Sequence, residues 1–268
     1  VHVAAQSIHT TECTTCFAAG VTISVGNASR VTLAAARMLS ADGRCKTLDA
    51  SADGYGRGEC CGVVHVAKQV DLTSDASALM SGSGVNQDGR SSSLTAPNGP
   101  SQQALIASTM RLSSTSADSI GQLEMHGTGT SLGDPIEVGA ATAVLRSDAK
   151  LITQDALVLE AAKSRVGHCE PGAGIVGIVS AMSRLGGATV SSLRHLRVLN
   201  PHVEAIIRQK EDFGGAREHR TPVAVLPRQT CSRAASAMDT DCSRAVTMAS
   251  GVSGFAFQGT NAHALLHP

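Results

Sequence analysis

Three short segments of the chain place reactive side chains among glycines, where an ordinary hydrophobic core would not put them. The first runs from Glu124 to Glu137 (EMHGTGTSLGDPIE) and presents the imidazole of His126 with the hydroxyls of Thr128 and Thr130. The segment follows a predicted strand, and the strand ends of open α/β sheets are where ligands bind. It therefore indicates a polar ligand site. The alternative is a glycine-rich turn whose threonines only cap the next helix.

The second segment is KSRVGH, which carries Lys163 and His168 in an otherwise apolar region. Burying an ammonium group without a partner is costly, and Glu137 is the natural candidate to pair with the lysine. The alternative is a surface lysine next to a histidine whose hydrogen bonds are satisfied in the core.

The third segment, 251–263 (GVSGFAFQGTNAH), holds two of the four phenylalanines of the chain in a glycine-punctuated strand–turn–strand. Its alternative interpretation is a plain hairpin.

The elements that would position these segments alternate along the chain, which predicts an α/β layered fold with a largely parallel sheet. The stretch 204–244 is polar and is predicted to be mostly loop. The predicted strands are 17–25, 62–70, 120–125, 156–161, 252–257 and 262–266, and the predicted helices are 1–8, 29–39, 102–112, 136–145 and 174–185.

Composition narrows the function classes. Lys plus Arg and Asp plus Glu both number 22, and this balance argues against a nucleic-acid partner or a basic membrane-surface protein. No apolar stretch is long enough for a membrane span. A chain of 268 residues without a targeting pattern is not expected to use its eight cysteines as a disulfide framework. Cys13-x-x-Cys16 has no second CxxC pair at zinc-ribbon spacing, so no metal site is expected.

Taken together, HGTGTSLGDPIE (126–137), KSRVGH (163–168) and SGFAFQGTNAH (253–263) resemble the ketosynthase (β-ketoacyl synthase) family of polyketide and fatty acid synthases. The resemblance covers nearly the whole chain and is strongest to modular or type I polyketide synthases. Only the tract from about 204 to 245 fails to align. Further matches are MLSADGRCKTLDASADGYGRGE (38–59), SGVNQDGRSSSLTAPNGPSQQALI (83–106) and LNPHV (199–203).

The resemblance implies a thiolase-like αβαβα fold and a decarboxylative Claisen condensation. His126 and His168 would promote loss of CO2 from a malonyl-type extender, with Lys163 as a nearby cation paired to Glu137. Neutral imidazoles can donate hydrogen bonds to the developing enolate oxygen. Thr128 and Thr130 match hydroxyls that hold phosphopantetheine.

For the third segment, the resemblance implies that Phe257 is the gating aromatic and that its N–H is an oxyanion-hole donor. Gly259 and Thr260 would lie in the substrate-binding loop. It also implies an acyl carrier protein as partner, acyl and malonyl-type thioesters as substrates, a homodimer, and no metal or redox cofactor. The compartment is expected to be cytoplasmic or plastid.

The family's nucleophilic cysteine precedes a helix that resembles VHVAAQSI (1–8), so we expect it to lie upstream of Val1. On that interpretation 1–65 is a remnant of the N-terminal ketosynthase half and 66–268 is the C-terminal half. Such a fragment would not condense substrates by itself and would expose faces that the missing half covers. TECTTC (11–16) imitates the nucleophile motif, but a strand and not a helix is predicted to follow it.

Two other functions are compatible with parts of the sequence. A non-condensing subunit of the chain-length-factor type would also lack the cysteine, although it would not be expected to retain His126, His168 and Lys163. A nucleotide-binding α/β domain would use 172–177 (GAGIVG), which matches GxGxxG literally. Residue 197, about twenty positions on, is Arg and not an acidic residue, which argues against it.

Overall fold

The computed structural model describes residues 1–68, 76–89, 96–146, 156–187, 191–208, 224–227 and 248–268. It contains α-helices and β-strands that alternate over most of the chain, and the α/β class is confirmed. The helices are α1 His2–His9, α2 Ala28–Ala35, α3 Gly99–Leu112, α4 Gly133–Leu145, α5 Lys163–Val166, α6 Ala173–Leu185 and α7 Pro201–Arg208. The strands are β1 Thr15–Thr22, β2 Cys60–Ala67, β3 Leu79–Gln87, β4 Ile120–Glu124, β5 Leu157–Glu160, β6 Ala224–Val225, β7 Ala249–Phe255 and β8 Thr260–His267.

The larger sheet has six strands in the order β3-β8-β7-β4-β5-β6. Its β7-β4-β5-β6 half is parallel, whereas β8 runs antiparallel to both β7 and β3. The prediction of a largely parallel sheet was therefore right for one half only, because the glycine-containing turn after β7 folds β8 straight back. A separate antiparallel ribbon pairs β1 with β2.

The two central strands are buried along their whole length. Every residue of β4 and of β5 is buried, as expected for parallel strands covered on both faces. The main core cluster lies around these strands and includes Leu123, Val138 and Leu159. β1 instead alternates, and its outer positions leave Phe17 and Val21 exposed. The site described below therefore rests on the best-packed part of the chain.

The helix starts show recognisable sequence signals. The side chain of Asn98 accepts a hydrogen bond from the N–H of Ser101 and caps α3, and Pro100 occupies its first turn. Pro135 lies in the first turn of α4. None of the helices in the described ranges is long and apolar enough to cross a membrane.

The sequence prediction missed four elements, which are β3, β6, α7 and the four-residue helix α5. β3 alternates serines and glycines between Met80 and Val85, and it lacks the β-branched run that marks a strand. α7 and β6 fall in or next to the stretch predicted to be loop. Residues 209–223 and 228–244 of that stretch, which include Cys231 and Cys242, lie outside the described residues.

Candidate active site

His126 lies two residues beyond the end of β4, and its backbone is fixed by the carboxylate of Glu137. The N–H groups of His126 and Gly127 donate to Glu137 Oε1 and Oε2 at 2.6 and 2.9 Å. Burial raises the pKa of Glu137 to about 7, although both N–H donors favour its ionised form. Glu137 is thus a clamp from α4 on the loop that carries the histidine.

The glycines of this loop allow a path that other residues would not follow. Gly129 has φ +78°, and a Cβ atom there would lie 2.5 Å from the backbone N of Lys46. The buried carboxylate of Asp134 accepts from the N–H groups of Gly129, Thr130 and Leu48 at 3.1, 3.4 and 2.8 Å. The loop is therefore held from the start of α4 by two carboxylates.

His168 follows α5 after Gly167, which has φ +78° and ends the helix. The His168 N–H donates to the Gly56 carbonyl at 2.7 Å, and its carbonyl accepts from the Gly58 N–H at 3.0 Å. The ring of Tyr55 lies 4.9 Å from the His168 ring, between centroids. These contacts join the second predicted segment to the 54–58 stretch.

The structure brings the two histidines together, with ring centroids 5.4 Å apart and planes at 86°. The Phe255 N–H donates to His126 Nδ1 at 3.2 Å, and the Glu170 N–H donates to His168 Nδ1 at 3.0 Å. Because each Nδ1 acts as acceptor, each neutral ring carries its proton on Nε2. Neither Nε2 has a hydrogen-bond partner within the described part of the chain, so both N–H groups can donate to a ligand.

Both imidazoles are held neutral. Burial, followed by the positive charge of Lys163, lowers the pKa of His168 to about 3. Burial is also the largest cause for His126, whose pKa falls well below its ordinary value, with smaller contributions from Lys163 and His168. The arrangement therefore supplies two uncharged N–H donors at neutral pH.

Lys163 is only 7% exposed, as the sequence suggested, but the predicted direct ion pair with Glu137 was wrong. The ion pairs among the described residues do not include these two, because the Glu137 carboxylate is occupied by the backbone of the loop. Burial lowers the pKa of Lys163. The negative charge of Glu124 raises this pKa again more than any other group does, and the charge of Glu137 is second. Lys163 is thus coupled to Glu137 through space only.

A buried charge cluster lies behind the lysine. Arg184 Nη1 of α6 is 3.0 Å from Glu124 Oε2 and 2.9 Å from Glu160 Oε2. Glu124 Oε1 accepts from the Ala162 N–H at 2.6 Å, at the start of α5. Burial raises the pKa of Glu160 to about 7, against the Arg184 charge. The cluster ties the ends of β4 and β5 to the helix that carries Lys163.

The remaining predicted residues lie in the loop after β4 and at the β7–β8 turn. Thr128 is buried, and its hydroxyl is 3.4 Å from that of Thr130, which also accepts from the Gly133 N–H at 3.1 Å. Phe257 is 51% exposed in the β7–β8 turn. Gly259 has φ +88° against Asp88, and Thr260 Oγ1 accepts from Gln87 Nε2 at 2.8 Å.

Sequence reasoning missed four residues that contact the histidines or hold them. Phe255 has its ring centroid 5.7 Å from that of His126. From the sequence, a role was given to Phe257 of the same motif and none to Phe255. The others are Tyr55, Asp134 and Glu170; the last accepts two hydrogen bonds from the Arg57 guanidinium, at 2.9 and 3.0 Å. The one available signal was Tyr55, the only tyrosine of the chain, inside a segment already matched.

The described thiols near the site are poor nucleophiles. Burial raises the pKa of both Cys45 and Cys169 to about 11.

Within the described ranges, no group of three or more His, Cys, Asp or Glu residues could hold a metal ion.

The GxGxxG match is not a phosphate-binding loop. Gly172 closes a short 3₁₀ turn, whereas Gly174 and Gly177 lie inside α6. A Cβ atom on Gly177 would lie 3.3 Å from Val252 Cγ1, so this glycine serves close packing of the helix on β7. The nucleotide-binding interpretation was therefore wrong for this segment.

Comparison with known proteins identifies the family of the chain. Residues 1–71 match the family model "Beta-ketoacyl synthase, N-terminal domain", and residues 77–197 match "Beta-ketoacyl synthase, C-terminal domain". A phenolphthiocerol/phthiocerol polyketide synthase from Mycobacterium tuberculosis is 36% identical over 99% of this chain, and the match spans 16% of that protein. The spectinabilin polyketide synthase system protein NorA' of Streptomyces orinoci is 35% identical, with 99% of this chain and 7% of that protein covered.

Solved structures give the same result. The ketosynthase from module 6 of the bacillaene synthase of Bacillus subtilis 168 superposes with a TM-score of 0.82 at 27% identity, over 99% of this chain and 44% of that one. The oxazolomycin ketosynthase domain OzmH KS7 of Streptomyces albus JA3453 gives 0.83 at 27% identity, over 99% and 43%. The chain thus spans less than half of the solved ketosynthases. It belongs to the β-ketoacyl synthase family, has the thiolase-like fold, and is similar to ketosynthase domains of polyketide synthases.

Proposed function

We propose that this chain supplies the decarboxylating half of a β-ketoacyl-[acyl-carrier-protein] synthase site in polyketide or fatty acid biosynthesis. The observation that carries the proposal is the pair of neutral imidazoles, each with Nδ1 accepting a backbone N–H and Nε2–H left to donate. Two such donors suit a carbonyl oxygen that gains negative charge.

The reaction starts from a malonyl-type thioester. Cleavage of the bond to its carboxylate releases CO2, and the electron pair remains as an enolate whose oxygen receives the Nε2–H bonds of His126 and His168. The enolate carbon then attacks the carbonyl of an acyl thioester, forming a C–C bond and expelling the thiolate. The Phe257 N–H is proposed as a donor to the oxyanion of this second step.

Lys163 has an electrostatic role in this scheme. Its charge disfavours protonation of both histidines, and we infer that this keeps them available as N–H donors. Glu137 acts through the backbone of His126 and is therefore a positioning residue.

The extender is proposed to arrive as the phosphopantetheine thioester of an acyl carrier protein. Thr128 and Thr130 would bind the pantetheine arm, and Gly259 and Thr260 would shape the loop around Phe257. The reaction as written needs no metal or redox cofactor. A homodimer, in the cytoplasm or a plastid, is part of the same proposal.

The acylated cysteine is proposed to come from outside this sequence. Cys45 and Cys169 are kept protonated by burial, and Cys13 and Cys16 lie in and just after the α1–β1 turn, with no contact to either histidine among the described contacts. A non-condensing subunit of the chain-length-factor type is the second candidate, and it is favoured by the raised thiol pKa values of Cys45 and Cys169 in the described part of the chain. Decarboxylation through His126 and His168 separates the two, because a subunit of that type is not expected to retain these histidines and Lys163.

The test is release of CO2 from malonyl-[acyl-carrier-protein] by the purified chain, measured by isotope counting. We expect measurable release, reduced about 100-fold or more in His126→Gln and in His168→Gln. His65→Gln, at an exposed position of β2, serves as control. Release equal to that of buffer from a folded chain, or full activity in both site variants, would contradict the proposal.

The nucleophile is tested separately by incubation with an acyl thioester, intact mass measurement and peptide mapping. We expect no adduct on any cysteine. A stoichiometric adduct on Cys13 or Cys16 that disappears on substitution by Ala would show instead that this chain carries its own nucleophile.

A further inference from the structure

Cys13 and Cys16 form a close thiol pair away from the histidines. Their Sγ atoms are 3.1 Å apart. Cys13 lies in the turn after α1, and Cys16 is the second residue of β1, paired in register with Val66 of β2. Two sulfur atoms at this separation need to move about 1 Å to reach the length of a disulfide bond.

The pair is accessible to a reagent in solution. Both cysteines are free and half-exposed, whereas Cys45 and Cys169 are buried. The turn is held by the Glu12 N–H, which donates to the Ser7 carbonyl at 2.9 Å, and by the Lys68 N–H, which donates to the Thr14 carbonyl at 3.3 Å. The backbone therefore keeps the two sulfurs together in the reduced protein.

We propose that Cys13 and Cys16 are a redox modification site that closes to an intramolecular disulfide when a low-molecular-weight disulfide such as glutathione disulfide is present. The Cys13 thiolate attacks one sulfur of the reagent, which gives a mixed disulfide and releases one glutathione thiolate. The Cys16 thiolate then attacks Cys13 Sγ and releases the second. The two cysteines lose two electrons and two protons, and the reagent becomes two thiols.

The closed form links the end of α1 to the start of β1 through side chains as well as backbone. The pKa of Cys13 is raised, first by the hydrogen bond with Cys16 and then by burial and by the charges of Cys16 and Glu12. Because the thiolate is the attacking species, closure is expected to be slow at neutral pH and to accelerate as the pH rises.

The experiment treats the chain with defined ratios of reduced and oxidised glutathione, blocks remaining thiols with N-ethylmaleimide and digests with trypsin. Arg30 is the first Lys or Arg of the sequence, so the peptide 1–30 holds Cys13 and Cys16 and no other cysteine. We expect this peptide to be two hydrogens lighter than its reduced form and to carry no N-ethylmaleimide. At the same glutathione ratio, the exposed Cys61 should still carry N-ethylmaleimide or a single glutathione.

Single variants make the result specific. In Cys16→Ser the second step is impossible, so Cys13 is expected to accumulate the mixed disulfide. The proposal is overturned if the wild-type peptide stays doubly blocked, or carries glutathione in the same proportion as Cys61, across the whole range of ratios.

Discussion

The imidazoles of His126 and His168 meet edge to face at 5.4 Å, and each is oriented by a backbone N–H from a different part of the chain. Phe255 of β7 fixes the first ring, and Glu170, two residues beyond the second, fixes the other. Their common tautomer is thus a property of the fold and not of either motif alone.

Replacing Lys163 by Met should raise the pKa of both histidines. The ammonium group lowers both pKa values through its charge, and Met removes that charge while keeping an apolar stem. The measurement is a pH titration of the labelled imidazoles by NMR. Lys46→Met is the control, because Lys46 pairs with Asp53 at 2.8 Å. Identical histidine titrations in Lys163→Met and wild type would contradict the role of the lysine.

Glu137→Gln should destabilise the chain by about 1–3 kcal/mol. A glutamine has one acceptor oxygen where the carboxylate has two, so one buried N–H of the His126–Gly127 pair loses its partner. Urea unfolding gives the free energy, with the exposed Glu12→Gln as control. Equal unfolding midpoints for the two variants would be inconsistent with the clamp.

Arg184→Met should cost about 3–5 kcal/mol, because it leaves Glu124 and Glu160 buried without their shared cation. Adding Glu160→Gln to this variant should recover part of the loss. Arg30→Met, on exposed α2, is the matched control. A double variant as unstable as Arg184→Met would mean that the two acids do not share the arginine's charge.

Two glycines should respond in opposite directions to alanine. Gly129→Ala needs a positive φ and puts a Cβ atom 2.5 Å from backbone, so a loss of more than about 1 kcal/mol is expected. Gly174→Ala has open space inside α6 and should gain up to about 1 kcal/mol. Thermal unfolding of the two variants checks both signs. A neutral Gly129→Ala would rule out the tight contact with Lys46.

His263 should lower the free energy of unfolding as the pH falls into the acid range. Burial lowers its pKa to about 4, while the unfolded chain has the ordinary value near 6.5. Protons therefore bind the unfolded state first, so the contribution is full above about pH 6.5 and is lost as the pH falls toward 4. Over that interval wild type should lose on the order of 3 kcal/mol relative to His263→Asn. Urea unfolding along a pH series tests this, with His65→Gln as control for loss of an imidazole. Parallel curves for wild type and His263→Asn would contradict the shift.

Much of the fold followed from local pattern. The short strands β4 and β5 and the glycine–proline start of α4 were predictable because aliphatic residues at buried positions and helix-start residues leave signals in the sequence. β3 was not, since its pairing with β8 comes from tertiary contacts and its serines and glycines have low strand propensity.

The residues of the candidate site were likewise predictable from the sequence only in part. His126, His168 and Lys163 could be located because polar reactive residues are unusual among glycines. The contacts of the acids near Lys163 could not be predicted, because residue type does not show that Glu124 is bound to Arg184 and the Ala162 N–H, or that Glu137 is bound to the loop backbone. Phe255 and Glu170 act through main-chain N–H groups, which leave no trace in residue type.

The Nδ1 contacts of the two histidines have a consequence for the fate of a reactive carbanion. Neutral imidazoles whose acceptor nitrogens are already occupied cannot collect a proton from water and pass it on, and they are weak acids themselves. A carbanion formed against them under the proposed reaction would be stabilised at oxygen without being quenched at carbon. In that scheme the fold favours a long-lived nucleophile over premature protonation to the simple decarboxylated thioester.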